Sequence, residues 1–228
     1  MKTQIIVALD GLTASEALDL AAKLAELDVV FKVNDLLDDS GPQIITDLSP
    51  FGRVMADPKF HDIPNTVANR VKKLVGRGPD YITVHASGTM AMMRAAVKNA
   101  GTSQILAVTV LTSLNEEECN LTFGNSVEAK VLYFARQAAI AHVHGIVCSP
   151  QELKFLAGFP ELKTLIKVCP SIRMLGEEVK DDDQARKMTP GEAKLYGADF
   201  IVIGRPIVQA PDPYRAVLNI YNEIDKVG

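Results

Sequence analysis

The chain has 228 residues, 47% apolar and 23% charged, with a net charge of −4. That balance argues against a nucleic-acid binder, which would show a basic stripe, and no run of about 18 apolar residues is present to span a membrane. The length suits an α/β barrel folded as one domain over residues 1–228.

The predicted elements alternate in chain order. Met1-Lys2-Thr3-Gln4 leads into the strand Ile5–Leu9 with no cleavable signal pattern. Asp10 closes that strand, and Thr13-Ala14-Ser15-Glu16 reads as a capping box ahead of the stripe Ala17, Leu20, Ala21, Leu24. Val29–Val33 is a second strand with Lys32 inside its apolar run. A helical stretch around Leu36 to Leu48 leads to the third strand, Arg53–Asp57. Helix Val67–Leu74, strand Tyr81–His85, helix Met90–Asn99 and strand Gln104–Val110 follow. The second half repeats the plan with helix Val127–Ala141, strand Gly145–Cys148, a short helix Gln151–Leu156 and strand Thr164–Val168. A polar loop through Asp181-Asp182-Asp183, helix Pro190–Tyr196, strand Phe200–Ile203 and a last helix from Pro213 to about Lys226 complete the chain.

Eight short apolar strands, each followed by helical sequence, predict an α/β fold of the (β/α)8 TIM-barrel type. An open doubly wound sheet is the alternative, and the lack of G-x-G-x-x-G after the first strand counts against it. The barrel reading makes a claim about charge. Active sites of this fold lie at strand C-terminal ends, where Asp10, Lys32, Asp57, Lys59, His85 and Arg205 would converge from distant parts of the chain.

The densest signal is Asp57-Pro58-Lys59-Phe60-His61-Asp62-Ile63-Pro64-Asn65-Thr66. In a regular strand Asp57 and Lys59 would share a face, with Asp62 beyond the strand on the turn announced by Pro64 and Asn65. Cys119, Cys148 and Cys169 are far apart and odd in number, which suggests neither a disulfide framework nor a zinc site and fits a reducing cytoplasm. His142-x-His144 is a weak metal motif with no acidic partner beside it, so no metal is expected.

With these residues in view, the chain resembles the orotidine 5′-phosphate decarboxylase family. The resemblance rests on Val7-Ala8-Leu9-Asp10, Phe31-Lys32-Val33, the ten-residue block, and Val84-His85-Ala86-Ser87-Gly88. It continues through Leu111-Thr112-Ser113, Asp183-Gln184 with Met188-Thr189-Pro190, and Ile203-Gly204-Arg205-Pro206-Ile207. It implies cofactor-free decarboxylation of orotidine 5′-monophosphate, with Lys59 giving a proton to C6 and Asp57 beside the substrate carboxylate. Lys32 and Asp62 would complete an alternating charge network, each carboxylate offsetting part of the desolvation of a neighbouring lysine. It further implies a homodimer in which Asp62 and Thr66 reach the neighbouring site. Asp10 and Lys32 would hold the ribose, Ile63 and Pro64 would adjoin the substrate, and Thr112 or Ser113 would meet the pyrimidine edge. Arg173, Gln184, Gly204 and Arg205 would hold the 5′-phosphate.

The chain departs from the family pattern at Asn34 and Ser171, both usually Gly, at Cys169, and at Thr89 in place of a second Gly. If position 34 requires a positive φ, Asn is the residue that best tolerates it after Gly. Two other readings share these residues: a metal-dependent keto-sugar-phosphate decarboxylase of the same barrel type, and a non-catalytic nucleotide-binding barrel.

Overall fold

Each apolar run buries both faces, one against helices and one against the barrel axis, and that requirement closes the sheet. The computed structural model describes residues 3–173 and 188–227. Among them, eight parallel strands pair in sequence order, and β1 also pairs with β8, giving a closed barrel. In chain order the elements begin with β1 (Gln4–Ala8), α1 (Ala14–Leu24), β2 (Val29–Val33), α2 (Asp35–Asp39), α3 (Gln43–Leu48) and β3 (Arg53–Phe60). Then come α4 (Pro64–Val75), β4 (Tyr81–His85), α5 (Thr89–Lys98), β5 (Gln104–Val108), α6 (Glu116–Phe123) and α7 (Val127–Ile140). The last are β6 (Gly145–Val147), α8 (Leu153–Leu156), β7 (Ile166–Cys169), α9 (Pro190–Leu195), β8 (Phe200–Ile203), α10 (Arg205–Val208) and α11 (Pro213–Asp225).

The strand period of two separates two cores. Ile6, Val30, Met55, Tyr81, Leu106, Val168 and Phe200 fill the barrel interior. Their neighbours Ile5, Val7, Val29, Phe31, Val54, Ile82, Ile105 and Ile201 face the helical ring. At the N-terminal end of the barrel, Arg53 donates to Tyr81 Oη at 3.0 Å and Gln4 Oε1 at 2.9 Å, beside Asp28 at 3.2 Å. Polar groups thus close the end opposite the functional rim.

The barrel expectation holds, and the capping box Thr13/Glu16 forms as read. Several elements differ: β5 stops at Val108, β7 begins at Ile166, and the short α10 follows β8 unannounced. The stretch 36–48 is two helices, because Gly41 at φ 68° and Pro42 interrupt it. The helix α6 was not anticipated: Asn115 and Glu118 cap it reciprocally, but Cys119 is its sole buried residue, so it offers no apolar stripe to read. β3 runs past Asp57 to Phe60, for a reason that bears on the site. The expected loop at 181–183 lies outside the described residues. No described helix is long and apolar enough to cross a membrane.

Candidate active site

β3 and β4 pair Ala56 with Ile82 and then Phe60 with Val84. Asp57, Pro58 and Lys59 therefore stand opposite Thr83 alone, a bulge in the strand. Lys59 adopts φ 45°, a left-handed backbone that costs a non-glycine residue about 1–2 kcal/mol. Pro58 suits the bulge, since it has no N–H to leave unpaired. Regular alternation would place Asp57 and Lys59 on one face; the structure brings them together through this distorted backbone instead.

The side chains form a chain of alternating charge. Lys32 Nζ donates to both Asp10 oxygens at 2.8 Å and lies 3.4 Å from Asp57 Oδ2. Lys59 Nζ donates to the same Asp57 oxygen at 2.7 Å. Asp57 Oδ1 accepts the Thr83 hydroxyl at 2.7 Å, and Thr83 Oγ1 accepts the Lys59 backbone N–H at 3.0 Å. Lys32 and Asp57 are buried, Lys59 is one-third exposed (34%), and Asp10 reaches solvent.

Burial by itself would push the Lys32 ammonium down and the Asp57 carboxyl up. The partners outweigh burial in both cases. Asp57 and Asp10 hold Lys32 above its ordinary value, while Lys32 and Lys59 hold Asp57 below the usual carboxylate range. His85 at the end of β4 is held down by burial and then by His61 and Lys59 nearby; the two imidazole rings lie 5.6 Å apart.

These charges edge a cavity of about 270 Å³. Asp10, Lys32, Asp57 and Lys59 occupy one wall, Leu111, Thr112 and Ser113 from the loop after β5 another, with Met55 and Val202 among the apolar lining. A wall of alternating charge beside apolar walls suits a polar ring bearing an ionic substituent.

The other predicted residues are placed as follows. Asp62, Ile63 and Pro64 are exposed, and Asp62 Oδ1 accepts the backbone N–H of Ile63 at 2.7 Å. It takes no part in its own chain's charge network among the described residues. Thr66 lies in the first turn of α4. Gly204 caps α10 and Arg205 begins it, immediately after β8, outside the lining of the cavity. Arg173 donates its backbone N–H to Met188 O at 3.0 Å, beside the end of the described segment, and Gln184 lies outside the described residues. His144 Nδ1 accepts the Ile105 N–H at 2.9 Å, a structural role, and no described cluster of three His, Cys, Asp or Glu is placed to hold a metal.

Thr83 is absent from the residues the sequence singles out, and the condition considered for Asn34, a positive φ, is not met. Thr83 is a hydroxyl in the apolar run of β4, on the inward face shared with Tyr81, and that placement was the available signal. Asn34 has φ −123°, so a left-handed backbone does not explain its presence; its side chain donates to Asp57 O at 2.7 Å. Thr89 (φ 79°) and Ser171 (φ 65°) do occupy backbone conformations that favour glycine.

A (β/α)8 barrel with paired, buried charges over a cavity at its strand C-termini has the architecture of a barrel enzyme. Residues 3–220 match the model of the orotidine 5′-phosphate decarboxylase / HUMPS family. The orotidine 5′-phosphate decarboxylase of Dictyoglomus turgidum is 39% identical over 98% of this chain and 96% of its own length. That of Moorella thermoacetica is 40% identical over 99% and 94%. The crystal structure of orotidine 5′-phosphate decarboxylase from Lactobacillus acidophilus superimposes with a TM-score of 0.83 at 33% identity, covering 98% of this chain and all of that one. The chain belongs to the orotidine 5′-phosphate decarboxylase / HUMPS family.

Proposed function

We propose that the protein is a carboxy-lyase that converts orotidine 5′-monophosphate to uridine 5′-monophosphate and CO2 in pyrimidine nucleotide biosynthesis. The observation that carries the reading is the Lys59 ammonium, held 2.7 Å from a buried carboxylate at the edge of the cavity. When the bond from C6 to the carboxylate breaks, its electron pair stays on C6 in the ring plane, where the ring carbonyls cannot delocalise it. A fixed cation at that position stabilises the developing charge and supplies the proton that forms the new C6–H bond. Asp57 faces the departing carboxylate and raises the energy of the bound substrate relative to the transition state. The reaction needs no cofactor, because the electron pair is quenched by a proton from the chain itself.

In this reading Asp10 and Lys32 bind the ribose hydroxyls, and Thr112 or Ser113 the pyrimidine edge. Arg173, Gln184, Gly204 and Arg205 hold the 5′-phosphate in the same reading, in keeping with anion sites after the last two strands of such barrels. The exposure of Asp62 and of Ile63 beside it (67%) supports a homodimer in which Asp62 and Thr66 complete the neighbour's site. Three buried thiols suit a reducing cytoplasm.

The test is the loss of orotidine 5′-monophosphate absorbance in purified protein, with and without a chelator. Equal turnover in both supports this reading. Turnover abolished by chelation points to the metal-dependent barrel decarboxylases, and uridine 5′-monophosphate binding without turnover to a non-catalytic barrel.

A further inference from the structure

We propose that Thr83 is a positioning residue for this reaction, fixing the Asp57 carboxylate and the Lys59 backbone through one hydroxyl; the proposal rests on the decarboxylase reading above. Thr83 is fully buried, does not line the cavity, and is the β4 residue that faces the three-residue bulge. A backbone N–H only donates and a carboxylate only accepts, so the group between them must do both, as a hydroxyl does. Its accepted bond from Lys59 N–H, 3.0 Å, tethers a residue whose φ of 45° is otherwise disfavoured. Its donated bond to Asp57 Oδ1, 2.7 Å, sets the carboxylate rotation. The other oxygen, Oδ2, then faces both ammonium groups, at 2.7 Å for Lys59 and 3.4 Å for Lys32. Asn34 braces the same bulge from β2's end through Asp57 O.

Without the hydroxyl the carboxylate is free to turn and the Lys59 backbone loses its anchor. A misplacement of about 1 Å at the reacting groups costs on the order of 100-fold in rate. The proposed pyrimidine and phosphate contacts involve other residues, and Lys32, proposed at the ribose, keeps both bonds to Asp10, so ground-state binding should change little.

The experiment compares wild type, Thr83→Val, Thr83→Ser and Thr83→Ala for kcat and KM with orotidine 5′-monophosphate, and for Kd with uridine 5′-monophosphate. Thr83→Val keeps the shape and loses the hydroxyl; kcat should fall about 10–100-fold with KM and Kd within about threefold. Thr83→Ser keeps the hydroxyl and should stay within about threefold of wild-type kcat. A residue needed only for packing would give the reverse order. Should Thr83→Val fail to fold, Thr83→Ser should still exceed Thr83→Ala in kcat by about tenfold or more. An active wild type with Thr83→Val at wild-type kcat, or with Ser no better than Ala, overturns the positioning role alone. A wild type without turnover overturns the decarboxylase reading as well.

Discussion

Lys32→Met removes the charge at the centre of the network while keeping most of the side-chain volume. At 3.4 Å and an effective dielectric near 20, the lost attraction to Asp57 is about 5 kcal/mol before desolvation. Breaking a buried ion pair from one side typically costs about 3–5 kcal/mol. Lys59 still contacts Asp57 at 2.7 Å, and the lost bond to half-exposed Asp10 contributes little, so about 3 kcal/mol of destabilisation is expected. The pH dependence fixes the sign. The folded-state pKa of Asp57 is depressed, so its contribution is present above the unfolded value near 3.9 and lost as pH falls through the folded value. With Lys32 gone, burial is opposed by Lys59 alone among the two lysines, so the folded-state value rises toward the unfolded one and the acid loss from Asp57 should shrink. Lys32 is raised, so its own contribution is full below about 10.4 and lost as pH rises through its folded value; the variant lacks that alkaline loss. Urea unfolding of both proteins from pH 3 to 11 measures all three effects. A cost below about 1 kcal/mol with superimposable acid limbs would refute the claim that the pair is a coupled, buried unit.

Three further outcomes are expected. Arg205→Ala should weaken binding of phosphorylated ligands by about 1.5–3 kcal/mol, and kcat/KM should fall more than affinity; unchanged kinetics would place the phosphate elsewhere. On the proposed homodimer, mixing inactive Lys59→Ala and Asp62→Ala proteins under subunit exchange should restore up to about one working site per heterodimer; no recovery despite exchange would mean that both residues serve one site. Thr89 has φ 79° and ψ 157°, a region almost confined to glycine, so Thr89→Gly should stabilise the fold by about 1 kcal/mol in urea melts, with a loss of stability counting against strain there.

The barrel is legible because each strand is an apolar run and the longer helices, such as α1, α4 and α11, carry an amphipathic stripe. The charged rim was legible because Asp10, Lys32, Asp57 and Lys59 interrupt those runs at their C-terminal ends. What sequence spacing could not express is the bulge. A two-residue period puts Asp57 and Lys59 on one face, but it is the bulged backbone that joins them, and the strand runs three residues past the predicted end because Pro58 sits in the bulge and not in a regular ladder. Thr83 was missed because threonine is ordinary in strands and its importance comes from a partner strand 24 residues away. Asn34 was read through the backbone preference of glycine, whereas the structure uses its side chain as a donor. Asp62, legible only as part of a motif, has its proposed role in another copy of the chain.

The central claim, that Lys59 performs the chemistry while other groups hold the nucleotide, is tested most directly by Lys59→Ala. Turnover of orotidine 5′-monophosphate and affinity for uridine 5′-monophosphate should be measured on the same preparations of wild type and variant. The account predicts loss of turnover by several orders of magnitude with the product still bound at comparable affinity. A variant that retains near-wild-type kcat would contradict it.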